Sequence, residues 1–346
     1  MTNQKQILFL TPFARKVRGN VITTQRISTG YQTKGFGVRT LAYAEGLDCQ
    51  TVQGEIRKSS WVHVLHITRF AEWLAEERCA WDKPFLLTMG GTDIHVDLKG
   101  QCRHNLPKPI VRLLDQASYV TVFSASARRI LKQLDPRWAD KTKVIPQGIV
   151  LPPSPPVKPV LNWETARRKG YHILLPAGLR PVKDVLFLLE AWKRLYRRLP
   201  KLQVTIVGEC YDKEVYAQVK KAMVKHPFLT YKQAIPFEEM GSLYSQADLV
   251  VNSSLEEGHS AAVCEAMGLG LPVIARRNDG NEAVIEHGKT GYLFYDQDQF
   301  LECVDRWLSN QKRAEQMLRQ AKKTFKERYN PEREIEAYLA LLSKIA

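Results

Sequence analysis

Two carboxylates in the stretch SSLEEGHSAAVCEAMGLGLPVIA (253–275) are the first residues whose chemistry needs explaining: Glu257 and Glu265, with seven residues between them. Glu265 falls in an otherwise small and apolar helical pattern, where a carboxylate is costly unless a polar group meets it. DLVVNSS (248–254) reads as a strand, LEEGH as a turn, and SAAVCEAMGLG as a helix opening with Ser260 at its N-cap. That places Glu257 at a strand's carboxyl end, beside a helix N-terminus whose free N–H groups favour anions. Gly258 permits close backbone approach to a ligand. Carboxylates so placed bind hydroxyls through charge-assisted hydrogen bonds. Alone, the pair also fits a solvated Glu257 and a structurally paired Glu265.

A second constellation lies upstream. AGLRPVKDVLFLLEAW (177–192) sets Gly178, Arg180 and Lys183 in a turn between a strand and the next helix. Arg180 offers a planar fork and Lys183 a point charge, which together suit a diphosphate; a surface pair at a helix start is the plainer reading. The first such turn, TPFARKVRGNVITTQR (11–26), holds Arg15, Lys16, Arg18, Gly19 and Asn20 ahead of a helix. Backbone amides at Gly19 and Asn20 are placed to reach phosphate. Hydroxyl-binding carboxylates around diphosphate-binding cations describe a nucleotide sugar. Neither GxGxxG nor GxxxxGK[ST] occurs, which argues against a dehydrogenase or an ATPase.

The elements that must position these residues alternate along the chain. In the first half, strands are expected at 7–11, 61–67, 85–89, 119–123 and 143–147, with helices near 21–33, 69–79, 106–117 and 124–134. In the second, strands at 171–178, 202–208, 228–232, 248–254 and 272–276 alternate with helices at 182–198, 212–225, 237–246 and 260–268. Nearly continuous apolar strands separated by helices imply parallel sheets covered on both faces, here in two doubly wound domains. LPPSPPVKP (151–159) carries five prolines in nine residues and reads as a stiff join. The expected division is 1–150, a linker 151–160, 161–330, and a final helical piece 331–346 packing back on the first domain.

Composition bounds the rest. The chain has 346 residues, 44% hydrophobic and 25% charged, and a formal charge of +15. Residues 1–160 carry 23 Lys and Arg against 12 Asp and Glu, while 161–346 carry 28 against 24. The basic first half fits an anionic partner, whether phosphorylated substrate, anionic lipid surface or nucleic acid, as well as a merely soluble surface. No apolar run approaches the ~20 residues that span a bilayer, and the opening residues read as a first strand and not as a signal peptide. Six scattered cysteines without a CxxC pair suggest free, mostly buried thiols in a reducing cytoplasm; zinc is not expected.

EEGHSAAVCEAMGLGLPVIARRNDGNEAVIEHGKTGYLF (256–294) resembles the donor-site signature of the family 4 retaining glycosyltransferases. In the first half, GNVITTQR, LHITRF, GGTDI and VIPQG, with LRPVKD after them, resemble a subgroup that includes the glycosyltransferase 1 domain-containing proteins and the selenosugar synthases. The resemblance implies the GT-B fold, an α/β arrangement of two Rossmann-like domains facing across a cleft. It implies retaining transfer of a sugar from a nucleotide sugar, most simply a UDP-sugar, with no metal and no further cofactor. Glu257 would hold sugar hydroxyls and Glu265 the ribose. Gly258, His259 and Ser260 would contact sugar and phosphate, Arg180 and Lys183 would neutralise the diphosphate, and Gly19 would face it. Gly208 (in VGEC) and Ile235 (in QAIP) fall where the family places its nucleobase. One departure is Gly90, in TMGGTDIH, where many members carry a histidine. Asp93 and His66 are the candidates to replace it on the acceptor side, against a turn-and-cap role for Asp93 and a core role for His66.

The acceptor stays open between an anionic molecule such as selenophosphate and a lipid-linked one presented at a membrane by the basic first half. Epimerisation of the sugar nucleotide is the rival enzyme reading. No nucleic-acid recognition motif is present, so nucleic acid is not an expected partner.

Overall fold

The computed structural model describes residues 5–14, 19–90 and 93–345. They form two compact units: residues 1–148 together with 331–346, and residues 149–330.

The first unit is built on a parallel sheet of β1 (Gln6–Thr11), β2 (Gly37–Ala42), β3 (Trp61–Leu65), β4 (Leu86–Met89), β5 (Tyr119–Val122) and β6 (Thr142–Val144), in the order β2-β1-β3-β4-β5-β6. Successive residues of a strand point to opposite faces. In β1, Leu8 and Leu10 enter one apolar core while Ile7 and Phe9 enter another. Both faces are covered, so the strand reads as unbroken hydrophobicity. The helix Pro331–Leu342 closes the second of these cores with Ile335, Tyr338 and Leu342. Its Glu334 side chain is fully buried and accepts from Arg26 Nε (2.7 Å), Arg26 Nη2 (3.0 Å), the Gly148 N–H (2.9 Å) and the Tyr338 hydroxyl (3.1 Å).

The second unit repeats the plan with β7 (Tyr171–Pro176), β8 (Leu202–Val207), β9 (Leu229–Lys232), β10 (Leu249–Asn252), β11 (Val273–Arg276) and β12 (Tyr292–Phe294), ordered β12-β11-β10-β7-β8-β9 and all parallel. The strand order turns at β10/β7 here and at β1/β3 in the first unit. Ligands of open α/β sheets bind outside the carboxyl ends of the strands at such a turning point.

Several expectations need correction. β2 and β12 were not expected; both are edge strands, and β2 is largely half-exposed, so its apolar signal is thin. The helix expected over 182–198 begins only at Leu189. Pro181–Lys183 form a 3₁₀ turn and Asp184 is left-handed (φ 41°), a conformation in which the helix cannot continue. Strand 61–67 stops at Leu65 because His66 turns away with φ 75°. Strand 248–254 stops at Asn252.

The Pro-rich stretch is not a free linker. The division falls between Gly148 and Ile149, and the stretch is held on the second unit: Ser154 donates to the Gly241 carbonyl (3.0 Å) and Lys158 to that of Gln246 (2.6 Å). The cysteines are not all free either. Cys49, at the start of the helix Cys49–Lys58, is disulfide-bonded to Cys79, just beyond the helix Ile67–Glu76, with Cα atoms 5.6 Å apart. Cys264 and Cys303 are free and buried. Among the described residues no helix is long and apolar enough to cross a membrane.

Candidate functional site

Lys183 and Glu257 meet at the turning point of the second sheet. Lys183 follows β7 and Glu257 follows β10, the two strands that pair there. The Lys183 ammonium donates to Glu257 Oε1 at 2.6 Å, with side chains 19% and 10% exposed. That same oxygen accepts from Ser254 Oγ (2.7 Å) and Asn252 Nδ2 (3.0 Å). Three donors on one carboxylate oxygen hold the group in place. Behind it, the fully buried Asn281 donates to the Asn252 side-chain carbonyl (3.0 Å), and Asn252 Nδ2 also reaches Ser260 Oγ (3.2 Å).

The two loops are tied together by the Leu255 N–H on the Val182 carbonyl (2.9 Å) and Ser253 Oγ on the Lys183 carbonyl (3.0 Å). Arg276 clamps the Lys183 turn, donating to Asp184 (2.8 Å) and lying 3.8 Å from the centre of the Phe187 ring. Gly280 allows the Glu257 loop to pass close, since a Cβ there would lie 2.3 Å from the Glu257 carbonyl oxygen. Arg180, at the head of the turn, is exposed, stacks on Tyr211 (4.6 Å) and forms no ion pair among the described residues. It is a cation available to a ligand.

Glu265 is held elsewhere, on the second turn of the helix Ala261–Leu269, where the buried Tyr244 donates to it at 2.6 Å. Burial pushes its carboxyl above the ordinary value, against the lowering effect of the Tyr244 bond. Ser260 sits at the N-cap position but makes no capping hydrogen bond, contrary to expectation, because its hydroxyl faces Asn252. His259 meets Tyr329 edge-on (5.6 Å) with Nε2 3.9 Å from Cys264 Sγ. Gly258 lies half-buried in the same loop. Gly208 ends β8 where a Cβ would strike the Ala177 carbonyl at 2.4 Å, and Ile235 packs on the core that includes Val207 and Tyr244.

In the first unit, Gly19 and Asn20 open the helix Gly19–Thr33 after β1, which sets their amides in its first turn. Arg15, Lys16 and Arg18 lie outside the described residues. His66 follows β3, at the turning point of this sheet, and Asp93 follows β4. Both are buried, and His66 Nδ1 pairs directly with Asp93 Oδ1. The other Asp93 oxygen takes the Gly90 N–H (2.9 Å), while Thr68 donates to Asp97 (2.6 Å). The Tyr43 hydroxyl, donating to the carbonyls of Leu65 (2.8 Å) and His66 (3.0 Å), holds the positive-φ turn. His66, Asp93 and Asp97 have ligand atoms within 4.8 Å of one another and are the group among the described residues with donors to hold a metal ion. Asp93 is already engaged by Gly90 and His66, and Asp97 by Thr68.

Asn252, Ser254, Asn281, Arg276, Tyr211 and Tyr244 were not singled out from the sequence. The polar NSS that ends an apolar strand was the available signal for the first two.

The family described as glycosyl transferases group 1 matches residues 162–324. The chain is 28% identical to glycosyltransferase 1 domain-containing protein 1 of Xenopus tropicalis over 97% of each chain. It is 24% identical to spore coat protein SA of Bacillus subtilis (strain 168), over 85% of this chain and 81% of that one. The crystal structure of Anabaena Alr3699/HepE in complex with UDP-glucose superposes with a TM-score of 0.73, covering 98% of this chain and 99% of that one at 17% identity. Residues 162–324 are thus similar to the group 1 glycosyltransferases, and the two six-stranded parallel sheets are those of the GT-B fold.

Proposed function

We propose that the protein is a retaining, metal-independent glycosyltransferase that moves a sugar from a UDP-sugar to an acceptor hydroxyl. The observation that carries this reading is the Lys183–Glu257 contact at the paired strands β7 and β10, with the unpaired Arg180 in the same turn. A diphosphate drawn to Arg180 and Lys183 leaves the Glu257 carboxylate to receive sugar hydroxyls, and Glu265 to receive the ribose. Two fixed cations act most strongly when negative charge grows on the departing diphosphate, so they lower the barrier and not only the binding energy. With those charges in place, the leaving group needs no metal ion to neutralise it. That HepE was crystallised with UDP-glucose supports a uridine donor here.

The test has two stages. A thermal-shift panel of nucleotide sugars names the donor, since a ligand at about 100 times its Kd adds about 2.7 kcal/mol. Transfer from an α-linked donor is then followed by NMR of the product, with and without EDTA. An α-linked product formed equally in EDTA is expected. A β-linked product contradicts retention, and loss of turnover in EDTA contradicts metal independence. An isomerised donor formed without acceptor would point to an epimerase.

A further inference from the structure

We infer that Tyr211 is a positioning residue for the donor diphosphate: its ring holds the Arg180 guanidinium ready for phosphate before a ligand arrives. The inference rests on the transferase reading above and adds a residue that the reading itself does not require.

An exposed aromatic on a fixed loop calls for a reason. Tyr211 is 59% exposed and belongs to neither apolar core of the second unit, so burial does not account for it. Its backbone is nonetheless fixed on both sides. Upstream, Leu179 and Cys210 form an isolated parallel bridge beyond the ends of β7 and β8. There the Leu179 N–H donates to the Glu209 carbonyl (2.8 Å) and the Tyr211 N–H to that of Leu179 (3.2 Å). Leu179 is fully buried, so this anchor is rooted in the core. Downstream, Asp212 caps the helix Lys213–Lys225, accepting from the Glu214 and Val215 N–H groups at 2.9 Å each.

The sequence also makes room for the ring. A Cβ on Gly178 would lie 2.7 Å from Tyr211 Cε2, so a glycine is what lets the ring approach the end of β7. Two residues on, the Arg180 guanidinium carbon lies over that ring, 4.6 Å from its centre. Arg276 makes the instructive contrast. It lies over Phe187 and also donates to Asp184 (2.8 Å), so its charge is matched within the fold. Arg180 has the ring and no ion pair among the described residues. Attraction to a ring face restrains a guanidinium while leaving its charge unmatched and its in-plane N–H donors open to oxygens. An arginine free in solvent loses rotamer freedom when a ligand fixes it; one already held on a ring loses less, and binds more tightly for it.

Calorimetry with UDP on the full chain tests this through a double-mutant cycle. The samples are the wild type, Tyr211→Leu, Tyr211→Phe, Arg180→Ala and the Arg180→Ala/Tyr211→Leu pair. Arg180→Ala should weaken UDP by about tenfold or more. Tyr211→Leu should weaken it by about two- to fivefold, the worth of an exposed cation–ring contact. In the Arg180→Ala background the same change should cost nothing further, and Tyr211→Phe, which keeps the ring, should restore affinity to within about twofold of the wild type. Wild-type affinity in Tyr211→Leu overturns the inference. An equal loss in the Arg180→Ala background also overturns it, because the ring would then serve the ligand or the fold directly. Tyr211→Phe as weak as Tyr211→Leu does so as well, by assigning the effect to the hydroxyl. If Arg180→Ala weakens UDP and Tyr211→Leu does not, this inference fails and the transferase reading stands. If the wild type binds neither UDP nor UDP-glucose, both fall.

Discussion

The polar clusters of the two units sit at equivalent places, beyond the carboxyl ends of strands where strand order turns, yet they are built from opposite materials. In the second unit Glu257 Oε1 takes three donors, Lys183 among them, while Arg276 holds Asp184 and Arg180 stands exposed in the same turn. In the first, two carboxylates and an imidazole cluster around one hydroxyl, that of Thr68, with no lysine among them. The first arrangement suits a ligand that brings negative charge, and the second a ligand that brings hydroxyl protons. One strand plan thus supports two recognition chemistries, because the loops and not the sheets carry the charge.

Perturbations confined to one unit should break this contrast in order of size. The largest effect is expected in the first unit from Glu334→Ala, which leaves Arg26, 6% exposed, as an unpaired buried charge. A loss of about 3–5 kcal/mol in denaturant unfolding is the expected outcome. UDP-glucose binding should survive wherever the second unit stays folded. Next comes Lys183→Ala, which should cut transfer by about 10²–10³, measured at saturating donor, because it removes a charge that opposes the developing diphosphate. The fold should hold, since Ser254 and Asn252 still engage Glu257.

Tyr244→Phe should be milder. Loss of a hydrogen bond to a charged group is worth about 1.5–3 kcal/mol, and the effect should appear in nucleotide-sugar affinity. The effect smallest at neutral pH is graded and belongs to the first unit. His63 is buried between the Tyr31 hydroxyl (2.9 Å) and the Thr88 hydroxyl (2.6 Å), and burial pushes its pKa down to about 3. The unfolded chain takes up a proton there that the folded chain refuses. Stability should therefore fall as pH drops below about 6.5, by about 1.4 kcal/mol per pH unit, until about 3. His63→Gln should flatten that slope in unfolding experiments across the same range; an unchanged slope assigns the acid sensitivity to other groups.

The second unit was the more legible in sequence, for a physical reason. Lys183 and Glu257 fall in short charged turns between apolar strands and helices, so they stand out before their partner is known. What stayed hidden depends on pairing between strands. Asn252 and Ser254 looked like the tail of a strand until β10 ended and turned them onto Glu257. Asp184 gave no sign of its left-handed turn or of Arg276, 92 residues later, which holds its carboxylate. In the first unit His66 and Asp93 are linked only by the adjacency of β3 and β4. The Cys49–Cys79 bond likewise needed the ends of two helices brought together, and no local spacing announces it. The edge strand β2 lacked the two-sided apolar pattern that marked the central ones, whereas β12 has it over only three residues.

The division of labour at the Lys183–Glu257 contact is the claim on which the account depends, and calorimetry with two ligands tests it. UDP and UDP-glucose are each titrated into the wild type, Lys183→Ala and Glu257→Gln. Lys183→Ala should weaken both ligands, because both carry the diphosphate. Glu257→Gln should weaken UDP-glucose and leave UDP near its wild-type affinity, because the carboxylate addresses the sugar. Wild-type affinity for both ligands in both variants, or equal loss of UDP in each, would contradict it.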